Sequence, residues 1–263
     1  MKLPYYEVSA FTTNPFAGNP AGVCPLDSWP PDSALQGIAA NNNLAETAYT
    51  VPRGNDFELR WFTSTVEVDL CGHATLAAAF VLFKERGVCA DEIRFHSRSG
   101  VLTVSREGDL FTLDFPSRPA SACALSEALI RGLGGKPKEV LKARDYLAVF
   151  ASEAEVRALK PDFAVLKTLD CLGIIATAPG NDCDFVSRFF APSAGIDEDP
   201  VTGSAHCTLI PHWSQRLGKT KLFARQVSQR GGELFCEQAG ERVRIGGRAT
   251  LYLRGEILLP AIA

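Results

Sequence analysis

Two stretches of this chain follow the same plan, and that repetition constrains the fold more than any other feature. Residues 60–83, RWFTSTVEVDLCGHATLAAAFVLF, lead on to SRSGVLTV; residues 187–213, SRFFAPSAGIDEDPVTGSAHCTLIPHW, lead on to SQRGGELF. Gly72 lies 28 residues before Gly100, and Gly203 lies 29 before Gly232. Each half therefore offers an extended segment, a turn containing Gly, an apolar helix and a strand opened by Gly, which is the pattern of two similar domains. Arg60 is 12 residues from Gly72 whereas Arg188 is 15 from Gly203. The second copy thus carries three extra residues, which the reading assigns to the turn holding Asp197, Glu198 and Asp199.

The remaining pattern is one of short strands with few helices. Period-two runs predict strands at Tyr5–Phe11, Thr47–Val51, Phe57–Phe62, Ile93–Ser97, Val101–Arg106 and Leu110–Phe115. A helix is expected near Asp32–Ala40. Ala74–Lys84 is apolar almost throughout, as suits a helix enclosed on most sides. Pro116–Ala122, PSRPASA, has linker composition. These boundaries predict an N-terminal domain of residues 1–116, with 250–263 as a candidate completion, and a C-terminal domain of 117–249.

Composition excludes some partners. A chain of 263 residues that is 46% hydrophobic can bury a substantial core, and a formal charge of -3 argues against holding nucleic acid or acidic lipid by bulk electrostatics. The opening MKLPYYEVSAF has no signal-like apolar stretch, and no apolar run nears the ~20 residues of a membrane span. No membrane or nucleic-acid partner and a cytoplasmic location are expected. The eight cysteines form no CxxC pair, so reduced thiols are expected rather than a disulfide framework.

The chemistry-bearing residues gather at the two turns. A glycine at each helix entrance, Gly72-His73-Ala74 and Gly203-Ser204-Ala205, permits a tight turn and leaves the first N–H groups of the helix facing an anion. The alternative for either turn alone is simple N-capping by Ser204 or Thr202. His73, in a first helical turn, is expected to have its pKa lowered by the helix dipole. Asp199 precedes the other helix, and Glu46 opens a strand whose alternate residues, Ala48 and Thr50, are small. A partly desolvated carboxylate there would have a raised pKa and could act as a general acid or base. An exposed edge-strand glutamate fits the local pattern equally well. Metal binding by Cys71-x-His73 with His206-Cys207 competes, but adjacent helical residues diverge by about 100°. No metal is expected. Cys71 assisted by His73 as a nucleophile lacks a third, orienting group.

The strings AFTTNPFAGNPAGVC, NLAETAY, LRWFTSTVEVDLCGHATLAAA, SRFFAPSAGIDEDPVTGSAHC and QRGGEL span most of the chain, and together they resemble the phenazine-biosynthesis PhzF-like family of isomerases and epimerases. The resemblance implies an α+β, diaminopimelate epimerase-like fold: two pseudo-symmetric domains, each a curled sheet or barrel around a central helix, with the active site between them. It implies Glu46 as the acid–base residue, although Ala45 stands where the family commonly has serine. His73, Asp199 and Ser204 match other site residues, and Gly18 and Asn19 in FAGNP match further pocket residues. Thr202 stands where two-thiol epimerases have their second cysteine, so one-base chemistry by Glu46 is expected. The implied protein is a cofactor-independent isomerase or epimerase of a small carboxylic acid, and a homodimer. The alternative is a non-catalytic binding or scaffold protein on the same fold.

Overall fold

The computed structural model describes residues 2–259; the suggested contribution of residues 260–263 to the first domain lies outside them. Contacts divide the chain into two compact units, Met1–Asp114 with Gly246–Ala263, and Phe115–Ile245. The chain therefore re-enters the first unit at Gly246, four residues ahead of the boundary expected at 250. Gly247 explains the earlier return, because a Cβ there would lie 2.3 Å from the ring of buried Phe11 in the first unit. Among the described residues, no helix is long and apolar enough to cross a membrane.

The first unit contains β1 (Lys2–Ala10), β2 (Asn19–Pro25), α1 (Asp32–Asn42), β3 (Glu46–Arg53), β4 (Asp56–Phe62) and β5 (Glu67–Val68). After α2 (Gly72–Phe80) and a π-helical turn at Val81–Glu85 come β6 (Glu92–Ser97), β7 (Gly100–Glu107) and β8 (Leu110–Pro116). The last of the described strands, β18 (Ala249–Leu258), pairs antiparallel with β1 along its whole length. From there the sheet continues β1–β2 antiparallel, β2–β3 parallel, β3–β4 antiparallel, β4–β6 parallel and β6–β7 antiparallel. Every residue of α2 is buried, and the helix packs on β1, β2, β3 and β18. Its alanines, Ala74 and Ala77–Ala79, allow strands to approach on several sides without a polar face to hydrate. Asn43, in a left-handed conformation, ends α1 by returning its N–H to the Ala39 carbonyl.

The second unit contains β9 (Ser121–Ala122), α3 (Glu127–Leu133), β10 (Glu139–Lys142), β11 (Tyr146–Val149), α4 (Glu153–Ala158), α5 (Phe163–Leu166), β12 (Ile174–Pro179) and β13 (Phe185–Ala191). It continues through β14 (Ile196–Asp199), α6 (Gly203–Leu217), β15 (Lys221–Gln226), β16 (Gly232–Ala239) and β17 (Arg242–Gly247). Its sheet runs β9–β10 antiparallel, β10–β11 antiparallel, β11–β12 parallel, β12–β13 antiparallel, β13–β15 parallel and β15–β16 antiparallel. That is the order and sense of the first unit, strand for strand. The expected linker thus contributes β9, the counterpart of β18.

Inside α6, Pro211 has no N–H for the carbonyl of Cys207, and the Arg118 N–H takes that carbonyl instead at 2.8 Å. Trp213 stacks on Phe185 at 5.6 Å and donates its indole N–H to Thr177 Oγ1, which satisfies the one polar atom of a fully buried ring.

The repeat extends to single side chains. Arg60 grips Glu67 through Nε and a terminal nitrogen at 2.7 and 2.8 Å, and Arg188 grips Glu198 in the same way at the same distances. Arg60 also lies over Phe62 and Arg188 over Phe190. Each glutamate stands five residues before its helix glycine. In register, Trp61 faces Val68 and Phe189 faces Asp199. The three extra residues therefore fall ahead of Asp197, around the 3-10 turn Pro192–Ala194, and Asp199 occupies the place of an apolar Val68.

Candidate active site

In the first unit, three element starts converge. Ala21 of β2 sits beside Glu46 of β3 in a parallel pair, so Asn19 and Glu46 lie at the same end of neighbouring strands, and α2 begins there with His73 in its first turn. Glu46 Oε2 lies 3.2 Å from His73 Nε2. On the other side of the ring, Nδ1 is 3.1 Å from Asn19 Nδ2 and 3.5 Å from Cys71 Sγ. All four residues are buried, Glu46 being 9% exposed. The contact with His73 is close but not aligned as a hydrogen bond, and Glu46 Oε2 has no hydrogen-bond partner.

The electrostatics reverse two expectations. Burial pushes the Glu46 carboxyl up, but the charge of His73 at 3.2 Å, with further polar contact from His73 and Cys71, outweighs it, so its pKa falls below the ordinary value rather than rising. Burial likewise pushes His73 down, yet Cys71 and Glu46 raise it well above 6.5. The helix dipole, expected to keep the imidazole neutral, is overcome by the two acidic groups that flank the ring, Cys71 and Glu46. The Cys71 thiol is pushed up to about 11 by burial first and by Glu46 second.

Gly18 has a backbone role. With φ of +67° and a Cβ position 2.2 Å from the Ala10 carbonyl oxygen, it admits no side chain without displacing the start of β2. Gly72 and Ala74 are buried in the first turn of α2.

The second unit gathers Asp199, Gly203, Ser204 and Ala205 in one turn. No side chain caps α6, nor α2, which removes the capping alternative. The Thr202 hydroxyl donates to Asp199 Oδ2 at 2.5 Å and accepts from Gln226 Nε2 at 3.1 Å. Gln226 also receives the Thr202 N–H and donates to the Asp199 carbonyl, so one buried amide pins both ends of the turn. Sequence reading missed Gln226; its signal is a glutamine at an inward position of an otherwise apolar-alternating strand, KLFARQ. It also missed the Arg–Glu grips, which an R-x-F repeat ahead of each helix glycine announces.

Comparison with known proteins agrees with this architecture. The family model for phenazine biosynthesis-like proteins, PhzC-PhzF, matches residues 8–255. The chain belongs to this family. An uncharacterized isomerase of Pseudomonas aeruginosa is 52% identical over 98% of this chain and 100% of its own length. A PhzF-family structure from Enterococcus faecalis superposes with a TM-score of 0.97 at 48% identity, covering 98% of this chain and 100% of that one. A hydroxyproline epimerase from Agrobacterium vitis, 10% identical, shares the fold alone, with a TM-score of 0.63 over 97% of this chain and 92% of its own. This PhzF-family chain is an isomerase with an α+β, epimerase-like fold.

Proposed function

We propose that this PhzF-family isomerase moves a proton on a small carboxylic acid without a cofactor, using Glu46 as its single base. The observation that carries the reading is the buried Glu46 Oε2, close to His73 yet lacking an aligned donor. A carboxylate in that state can accept a proton from carbon without first giving up a strong hydrogen bond. Glu46 takes the proton from a carbon next to, or conjugated with, the substrate's carboxylate, and the electron pair passes into that carboxylate. The protonated Glu46 then returns the proton to a conjugated carbon, or to the opposite face of the same carbon once the intermediate has turned over, regenerating the base. His73, held by Asn19, places positive charge beside Glu46 and keeps it ionised between turnovers.

In the second unit the uncapped amides of Gly203–Ala205 are assigned to a substrate carboxylate and Asp199 to an amine or hydroxyl. The resemblance to a dimeric family and eight cysteines that are all free support a cytoplasmic homodimer as part of the same reading. Solvent deuterium incorporation into amino, hydroxy and cyclic dienoic acids, followed by mass spectrometry, tests the proposal. Label is expected with the native chain and is expected to fall by about 10²–10⁴-fold in Glu46→Gln, the usual worth of a general base. An Asp199→Asn variant that raises KM for the labelled acid would tie the second turn to the same reaction. Binding of an acid without label would support a non-catalytic protein.

A further inference from the structure

Among the described residues β18 pairs with β1 alone, and from Tyr252 to Glu256 five consecutive residues of it are exposed. A strand with one face on a core keeps alternate residues buried, so this stretch leaves both faces and its outer edge in water. Apolar side chains lie along it: Leu253, Tyr252 and, 71% exposed, Leu258. Phe16, 74% exposed, sets its ring edge-on to Tyr252 at 6.3 Å. The loop that presents Phe16 is held, because Asn14 Oδ1 accepts the Phe16 N–H and Ser9 donates to the Pro15 carbonyl, each at 3.0 Å. All of these residues belong to the first unit. A held loop and a strand edge that share one apolar patch are the marks of a docking surface.

We propose that a second copy of this chain covers this surface, its β18 pairing antiparallel with β18 about a two-fold axis at Gly255. The proposal rests on the homodimer reading above and names the face that reading leaves open.

The strand is complementary to itself. With the axis at Gly255, Arg254 faces the partner's Glu256, Glu256 faces the partner's Arg254, and Leu253 faces the partner's Ile257. Opposite charges directly across an antiparallel pair attract, and like charges repel. Moving the axis to Arg254 would set two guanidiniums face to face, and moving it to Glu256 two carboxylates. The charges that elsewhere keep edges apart therefore admit one register here. Each is already held within its own protomer, Glu256 by Lys2 at 2.8 Å and Arg254 by Glu85. The pairing extends these contacts into rows of alternating sign, Lys2, Glu256, the partner's Arg254 and the partner's Glu85. Gly255 fits the axis for a separate reason. Within 4 Å of its Cβ position lies only Leu253 Cδ2, at 3.7 Å, so its own protomer does not require a glycine there, whereas close approach of a second backbone favours one. The bulge opposite Glu7 and Val8, at Tyr252, ends the regular segment. There the partner's Leu258 meets Tyr252 and Phe16, and each end of the seam removes three apolar side chains from water.

Sedimentation equilibrium and native mass spectrometry at micromolar concentration test the face by charge reversal. The native chain should be a dimer. Arg254→Glu opposes carboxylates at both charge pairs of the seam and Glu256→Arg opposes guanidiniums, so each variant should self-associate at least about tenfold more weakly. Mixed together, the two should form a one-to-one dimer whose mass lies between those of the two homodimers, because each then meets the opposite charge. In the native chain, the amides of residues 253–257 should lose hydrogen-exchange protection on dilution to the monomer while the β1–β2 pairing keeps its own, a readout that does not depend on either variant folding. A native chain that stays monomeric would overturn the proposal together with the homodimer reading. A native dimer that both variants leave unchanged, or one whose exchange at 253–257 is independent of concentration, would overturn the face and leave a homodimer formed elsewhere.

Discussion

His206 shows how burial sets a single residue's chemistry. It is fully buried, its Nδ1 proton is committed to the Thr202 carbonyl, and burial lowers its pKa to about 4 despite that bond. Above pH ~6.5 the imidazole is neutral folded or unfolded. As pH falls from there towards 4, the unfolded chain takes up a proton that the folded chain refuses, so stability is lost at about 1.4 kcal/mol per pH unit, roughly 3 kcal/mol by pH 4. Below that no further loss comes from this group. Urea unfolding measured between pH 7 and 4 should show the fall, and His206→Asn, which retains a donor for Thr202, should flatten it by that amount. An unchanged slope would mean the imidazole is not held neutral. At this scale the sequence was a partial guide. Glu46 and His73 are legible as acid–base residues from their motifs, but the direction of their pKa values is not, because it depends on which buried neighbour lies at 3.2 Å.

Among elements, the Arg–Glu grips tie each unit's fourth-strand counterpart to the segment that feeds its central helix. Among the described residues no second cation reaches Glu198, and besides it Arg188 donates to the carbonyls of Val156 and Leu159 at the end of α4. For Glu67 there is one, Arg98 at 2.7 Å, and the other partner of Arg60, Asp32, is exposed to water. Arg188→Met should therefore cost about 3 kcal/mol, the scale for stranding one partner of a buried pair, and Arg60→Met clearly less. Denaturant unfolding of the two variants gives the comparison, and equal losses would refute the account. In the first unit β1, β3, β4, β6, β7 and β8 were legible from alternation, and α2 from its unbroken apolar run, whereas the strands between β9 and β15 largely were not. β2 was not, because NPAGVCP reads as turn chemistry; its prolines stand at Pro20 and Pro25, near the two ends of the strand, where a missing N–H is tolerated. The three extra residues were counted correctly but placed too late, since counting cannot show that Glu198 rather than Arg188 is the fixed point relative to the helix.

For the whole molecule, the repeat was the legible part: two stretches of matching order became two units with the same strand pairings. The expected completion of the first domain by residues from 250 onward corresponds to a return of the chain at Gly246, and what the sequence did not supply is the strand partner of that segment. β1 is paired with β18 from Lys2↔Leu258 to Ala10↔Ala249. A chain ending at residue 245 should lose hydrogen-exchange protection in β1 and β2 while β12 and β13 of the second unit keep theirs. Loss of protection in both units would show that they fold as one.

The same pairing sets an order of events during synthesis. At about 5–20 residues per second, a ribosome that has completed β1 needs roughly 12–50 s to reach the strand that pairs with it. The second unit is one uninterrupted stretch and can close in the meantime. β1 can pair with β2 early, but its other edge waits for β18, and until then that edge is open to any other extended chain in the cell.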